Sequence, residues 1–276
     1  EVLDEVETLT GNVRVLGAIA YLRRLYQALD EAGYGDRIMI DKMVGKTEVA
    51  LYGLAYSIGM LVQLFISGMN SALTPWMYSK IKKGDIRSMR KVLQLLSIVV
   101  VGIAVALMLI SPELVLIFGS PKYREAVYVI PPVAASVFFI FIYNILSMPQ
   151  FYYEKTQFLM AASMAAAGAN VVLNFIFIRL FGYIAAGYTT LACYMLYSVG
   201  HYIVSKRILV NEGIQENLMN PGFLLACSVF LIGASIICNL IFPYRILRYA
   251  ILLASAGLVF WKKELLLKTM ADIRKK

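Results

Sequence analysis

Residues 36–91 read DRIMIDKMVGKTEVALYGLAYSIGMLVQLFISGMNSALTPWMYSKIKKGDIRSMRK, and the order of their parts decides the fold. A charged pair, Asp36 and Arg37, leads into a short apolar patch at 38–44. A Gly45-Lys46-Thr47 turn follows, then an apolar run over 49–78. Lys80, Lys82, Lys83, Arg87, Arg90 and Lys91 close the stretch. A long apolar run that ends in lysine and arginine is how a membrane helix marks its cytoplasmic end.

The rest of the chain repeats this pattern. At about 20 apolar residues per crossing, further helices are expected over 92–110 (extending toward 118), 127–152, 158–181, 184–204, 221–242 and 244–261. Composition agrees. Of 276 residues, 60% are hydrophobic and 16% charged, whereas a soluble domain carries about a quarter charged residues. The fold class is therefore all-α, a polytopic membrane helix bundle of about seven or eight transmembrane helices. The connections are short and leave no room for a soluble catalytic domain.

Charge sets the orientation. The connection after the first long run is rich in cations, the next carries only Lys122 and Arg124, the fifth helix ends in Lys206 and Arg207, and the tail carries Lys262, Lys263, Lys268, Arg274, Lys275 and Lys276. Alternate connections are basic, which places them and the C-terminus in the cytoplasm and the chain in the inner (cytoplasmic) membrane. Arg245 and Arg248 weaken the contrast at an otherwise outward turn. The net charge of +9 is thereby accounted for without a nucleic-acid partner, since the cations sit between apolar runs rather than on a polar face. Membrane lipid is the expected surroundings.

Residues 1–35 differ. Residues 1–11 are acidic, which is not the basic start of a cleavable signal peptide. Val15, Leu16, Ile19, Leu22, Leu25, Tyr26 and Leu29 then fall at helical spacing, with Arg14, Arg23, Arg24, Asp30 and Glu31 between them. This reads as an amphipathic helix, lying at the interface or lining a polar cavity. The division is thus 1–35, a polar N-terminal segment, and 36–276, a transmembrane lobe.

Enzyme chemistry finds no support in the motifs. Gly45-Lys46-Thr47 lacks the glycine five residues earlier that a phosphate loop needs, Ile40 standing there. His201 is the single histidine. Cys193, Cys227 and Cys238 show no paired spacing and read as reduced packing residues. No cofactor and no metal site is expected.

Polar groups inside apolar runs are the better signal, because lipid makes them costly. Asn170 and Asn174 stand at i and i+4 on one face, for helix–helix hydrogen bonding or for a hydrophilic path. Glu154 and Lys155 follow Phe151, Tyr152 and Tyr153, either as an aromatic belt beside a turn or as a charged pair at a cavity mouth. Asp36 and Arg37 are a self-satisfied surface pair or a buried pair whose arginine meets an anion. No Asp or Glu falls mid-helix in the clear spans, which disfavours a drug or cation exporter needing a carboxylate for coupling.

DRIMIDKMVG, with ALYGLAYSIG and NSALTPWMYSKIKKGD behind it, resembles a known family. So do SPELVLIFGSPKYREAVYVIPPVAASVFF and QFYYEKTQFLMAASMAAAGANVVLNFIFIRLFGYIAAGYTTL. From residue 36 onward the chain resembles the C-terminal half of the oligosaccharide flippases, the Wzx-like polysaccharide transporters of the multidrug/oligosaccharidyl-lipid/polysaccharide exporter superfamily. The resemblance implies a two-lobed plan and transport of a lipid-linked oligosaccharide, a polyprenyl-pyrophosphate-linked glycan, from inner to outer leaflet. It implies basic residues in a wet cavity that attract the pyrophosphate, and alternating access by rocking of the lobes. Arg37 lies in the segment matching the family's Asp-Arg motif. One lobe is covered, so an N-terminal lobe is the implied partner. The alternatives are a drug or cation exporter of the same superfamily, or a nonfunctional fragment.

Overall fold

A computed structural model describes residues 34–261. The amphipathic segment read over 12–35, all but its last two residues, and the basic tail lie outside the described residues. The described residues form nine α-helices and one 3-10 helix. They are α1 (Tyr34–Met43), α2 (Lys46–Gly59), α3 (Leu61–Lys82), α4 (Ile86–Phe118), the 3-10 helix (Pro121–Tyr128), α5 (Ile130–Tyr152), α6 (Gln157–Phe181), α7 (Ala185–Asn211), α8 (Pro221–Ile241) and α9 (Arg245–Trp261).

Five segments are long and apolar enough to cross a membrane: Lys46–Lys82, Ile86–Phe118, Ile130–Tyr152, Gln157–Phe181 and Pro221–Ile241. The chain is a multi-pass helical membrane protein. The seven apolar runs all form helices, but two fall short of this measure. The 27-residue α7 is long enough, yet it buries Thr189, Thr190, Ser198, His201 and Ser205. The 17-residue α9 is shorter than a full crossing.

The single helix expected over 49–78 is two helices broken at Met60. The 37 residues from Lys46 to Lys82 would run about 55 Å as one rod, against about 30 Å of hydrocarbon. The short apolar patch at 38–44 belongs to α1, which starts at Tyr34.

Three helices end alike. Gly84 (φ 67°), Glu154 (φ 56°) and Gly213 (φ 81°) each take left-handed backbone just after α3, α5 and α7. The next amide then donates back into the last turn: Asp85 to Lys80 (3.0 Å), Lys155 to Gln150 (2.8 Å) and Ile214 to Leu209 (2.8 Å). This is the Schellman stop, which satisfies carbonyls that a helix end leaves open. Asp85 also caps α4, accepting from the Ser88 amide and from Lys80 Nζ at 2.7 Å. Those bonds, the lysine first, hold its carboxyl down at about 2.

The core sits on α5. From Ile130 to Ile142 every residue of α5 is buried, and α2, α3, α4, α7 and α8 all pack around it. Two neighbours approach through glycine. A Cβ on Gly59 of α2 would stand 2.5 Å from Val133 Cγ1, and one on Gly187 of α7 would stand 3.0 Å from Pro132 Cγ. The helix α6 packs on α7 and α1 and leaves its remaining surface outward.

Candidate functional site

Asp36, near the start of α1, is 4% exposed and lies among α2, α6 and α7. Its Oδ2 accepts from the Tyr52 hydroxyl at 2.5 Å and from Thr190 Oγ1 at 2.9 Å. Its Oδ1 accepts from Asn174 Nδ2 at 2.6 Å. The same amide nitrogen donates to Asn170 Oδ1 at 3.0 Å. Thr189 Oγ1 donates to Asn174 Oδ1. Four helices thus meet at one carboxylate through side chains 16 to 154 residues apart.

Local structure places each group. Asn170 and Asn174, one turn apart, put both amides on the inward face of α6. Thr189 and Thr190 stand in the second turn of α7, beyond Gly187 where that helix nears α5. Tyr52 points from the buried face of α2. A charge in hydrocarbon is costly unless its oxygens are bonded, and here three neutral donors bond them. Hydroxyls and amides can turn, so this oxygen-rich cluster can accommodate a carboxylate with a hard cation, or a protonated carboxyl.

Beside Asp36 is a half-open cavity of about 260 Å³. Asp36, Asn170 and Thr190 supply its polar wall, and Tyr56, Tyr143, Tyr194 and Tyr197 its aromatic wall. Tyr143 and Tyr194 stack with planes 4° apart, and Tyr143 leans on Tyr197 at 4.7 Å between ring centres. Ser163 and the Tyr197 hydroxyl are bonded at 2.7 Å. Behind this shelf His201 Nδ1 meets Gln150 Nε2 at 2.7 Å, so the lone histidine is a packed residue.

The residues singled out by sequence divide into two groups. Asp36, Asn170 and Asn174 come together: Asn174 bonds across from α6 to α1, and Asn170 lines the cavity. Asp36 and Arg37 are neither a surface pair nor a pair with one another. Arg37 is half-buried over Gly53, whose Cβ would stand 3.6 Å from the guanidinium carbon. Glu154 and Lys155 are exposed in the turn that closes α5 and do not line the cavity. Among the described residues no lysine or arginine lines the cavity, which carries a carboxylate instead.

Two features went unread. Tyr52, Thr189 and Thr190 were missed because hydroxyls in apolar runs signal little without their partners. Arg248 was counted as a turn charge, yet it is 3% exposed. It makes a two-pronged bridge from α9 to Glu113 of α4, Nη1 and Nη2 each at 2.8 Å, and Nη1 also donates to the Leu109 carbonyl at 2.6 Å. Tyr249 adds a bond to Glu113 at 2.9 Å.

The MatE family profile matches residues 34–176, from the first residue of α1 into α6. An uncharacterized membrane protein of Haemophilus influenzae is 32% identical over 130 residues, covering 44% of this chain and 31% of that protein. The match thus spans about a third of that relative's length. No solved structure matches the chain.

Proposed function

The chain belongs to the MatE family, a family of membrane transporters, and from that premise we propose that it forms one lobe of an ion-coupled exporter of a lipid-linked oligosaccharide. The observation that carries ion coupling is the buried Asp36 carboxylate, bonded by Tyr52, Asn174 and Thr190 beside a cavity. A carboxylate held there by neutral donors changes its free energy sharply when it gains or loses a proton or a small cation. A gradient of that ion then favours one arrangement of the lobe over another, and the work of export comes from the difference.

The oligosaccharide rests on the resemblance, and the tyrosine shelf supports it, since flat rings with hydroxyl edges suit sugar faces and their hydroxyls. Arg37 is the residue we assign to the anionic pyrophosphate. The orientation read from charge, with the C-terminus in the cytoplasm of the inner-membrane cell face, belongs to the same proposal, as does a partner lobe across the cavity.

A second reading, export of an organic cation or drug, gains from Asp36 itself. An anion beside stacked aromatic rings is a setting for a cationic amphiphile. The two readings separate in cells expressing the complete protein, scored for surface glycan and for resistance to a cationic dye. Asp36→Asn should cut the relevant transport at least tenfold at unchanged protein level; full transport by that variant would sink ion coupling. Arg37→Ala should abolish glycan export under the first reading and spare dye export under the second.

A further inference from the structure

The α7 helix serves two sites with two faces. Thr190, Tyr194 and Tyr197 face the Asp36 cavity. Met195, Val199 and Tyr202 face an apolar crevice of about 280 Å³ between α5, α7 and α8, whose other walls include Phe139, Ile142 and Leu224. The serine hydroxyls there are already used: Ser198 Oγ bonds the Phe139 and Tyr194 carbonyls, at 2.9 and 2.8 Å, and Ser228 donates to the Leu224 carbonyl at 2.7 Å. Apart from the Tyr202 hydroxyl at its rim, the crevice is apolar.

At one end the surface changes character. A second hollow, of about 430 Å³, is lined by Tyr202, Lys206, Arg207 and Asn211, so Tyr202 borders both. Met195, Val199, Tyr202 and Lys206 follow at steps of four, three and four, which is one stripe of a helix. From Met195 to Lys206 the rise is about 16 Å, the depth of one leaflet's hydrocarbon. Lys206 and Arg207 are exposed, and neither has an ion-pair partner among the described residues. Of the nearby acids, Glu216 is drawn to Arg90 at 3.6 Å, and Glu212 caps α7.

We propose that this crevice and its basic rim hold one phospholipid of the bilayer with an anionic headgroup. An acyl chain fills the space between α5, α7 and α8, and the phosphate rests on Lys206 and Arg207. Hydrocarbon at this depth is filled by lipid tails in any case; the two cations at the end of the stripe select the head. The site lies on the face of α7 turned away from the cavity, and so is separate from the transport site.

The test uses the complete protein in detergent micelles doped with dioleoyl phosphatidylglycerol or dioleoyl phosphatidylcholine, read by thermal unfolding against lipid concentration. The phosphatidylglycerol series should raise the midpoint at lower concentration than the phosphatidylcholine series. Lys206→Ala and Arg207→Ala should each weaken the phosphatidylglycerol response about fivefold, the effect of about one surface cation on an anionic lipid. Val199→Trp, which fills the crevice, should weaken both series. Equal responses to the two lipids, or an unchanged phosphatidylglycerol response in the double alanine variant, would overturn the proposal. So would displacement of phosphatidylglycerol by an equal concentration of a polyprenyl pyrophosphate, which would make the site part of the substrate path.

Discussion

The helices α5 and α6 are consecutive, similar in length and similarly apolar, yet they live in different surroundings. In the most apolar 18-residue window of α5, 89% of the residues are buried; in that of α6, 11% are. Composition does not separate them, because lipid and a protein core are both hydrocarbon solvents. What separates them is the use of polar groups. Along α5, Ser136 and Ser147 return their hydroxyls to their own helix, and packing over a fully buried stretch holds it in place, with Gln150–His201 and Ser198–Phe139 bonds to α7 beside it. The α6 helix sends Asn174 across to Asp36 and otherwise turns phenylalanines, valines and leucines outward. One is a pillar buried on every side over most of its length, the other a wall joined to the bundle along one face, where Asn174 reaches Asp36.

Matched truncations are the strongest way to break that contrast. Phe138→Ala, on a fully buried ring of α5, should destabilise the protein by about 3–5 kcal/mol through cavity formation. Phe175→Ala, on a ring of α6 that is 48% exposed, should change stability by about 0.5 kcal/mol or less. Denaturant unfolding in micelles measures both, and equal costs would show that the outward face of α6 is covered.

Close approach to the pillar gives the next effect. Gly59→Val puts methyl groups into Val133 and should cost about 1–3 kcal/mol by overpacking. Adding Val133→Ala should recover part of that loss; a loss that Val133→Ala leaves untouched would mean backbone strain at the Met60 break instead.

The joint between the two helices is a smaller lever. Glu154 holds left-handed backbone with a side chain attached, so Glu154→Gly should stabilise by about 0.5–1 kcal/mol. The same substitution tests its assignment to the transport path, because a role confined to the turn predicts undiminished export.

The smallest effect is in acid. Asp85, held at about 2 by Lys80 and Ser88 against an ordinary 3.8, contributes stability that is present above its ordinary value and lost as pH falls toward 2. Its pair is partly exposed, so the term is modest. Asp85→Asn should flatten that part of an acid-unfolding profile. Any acid sensitivity that survives in the variant belongs to other carboxylates.

The pillar and the wall were equally visible in the sequence as apolar runs, and the helix order over 34–261 follows from those runs. Their surroundings were not, because burial depends on which faces meet and a single sequence records only that faces exist. The Met60 break was not signalled by length, since the 33 residues of α4 run unbroken. Asp36 was noticed, but Arg37 beside it was taken as its natural partner. Adjacent residues of a helix point in different directions, and that alone argued that the carboxylate must look elsewhere. Its actual partners, Asn174 and Thr190, lie too far along the chain for spacing to connect them. The Glu113–Arg248 bridge was hidden in the same way, behind a charge that looked like part of a turn.

Those distances along the chain also bear on biogenesis. Asp36 is made 138 residues before Asn174 and 154 before Thr190. At a synthesis rate of about 5–20 residues per second, the carboxylate waits roughly 7 to 30 s for its donors. During that time, among the described residues, its partner from α1 and α2 is Tyr52. The donors that later close the site thus reach the carboxylate only after α6 and α7 have been made.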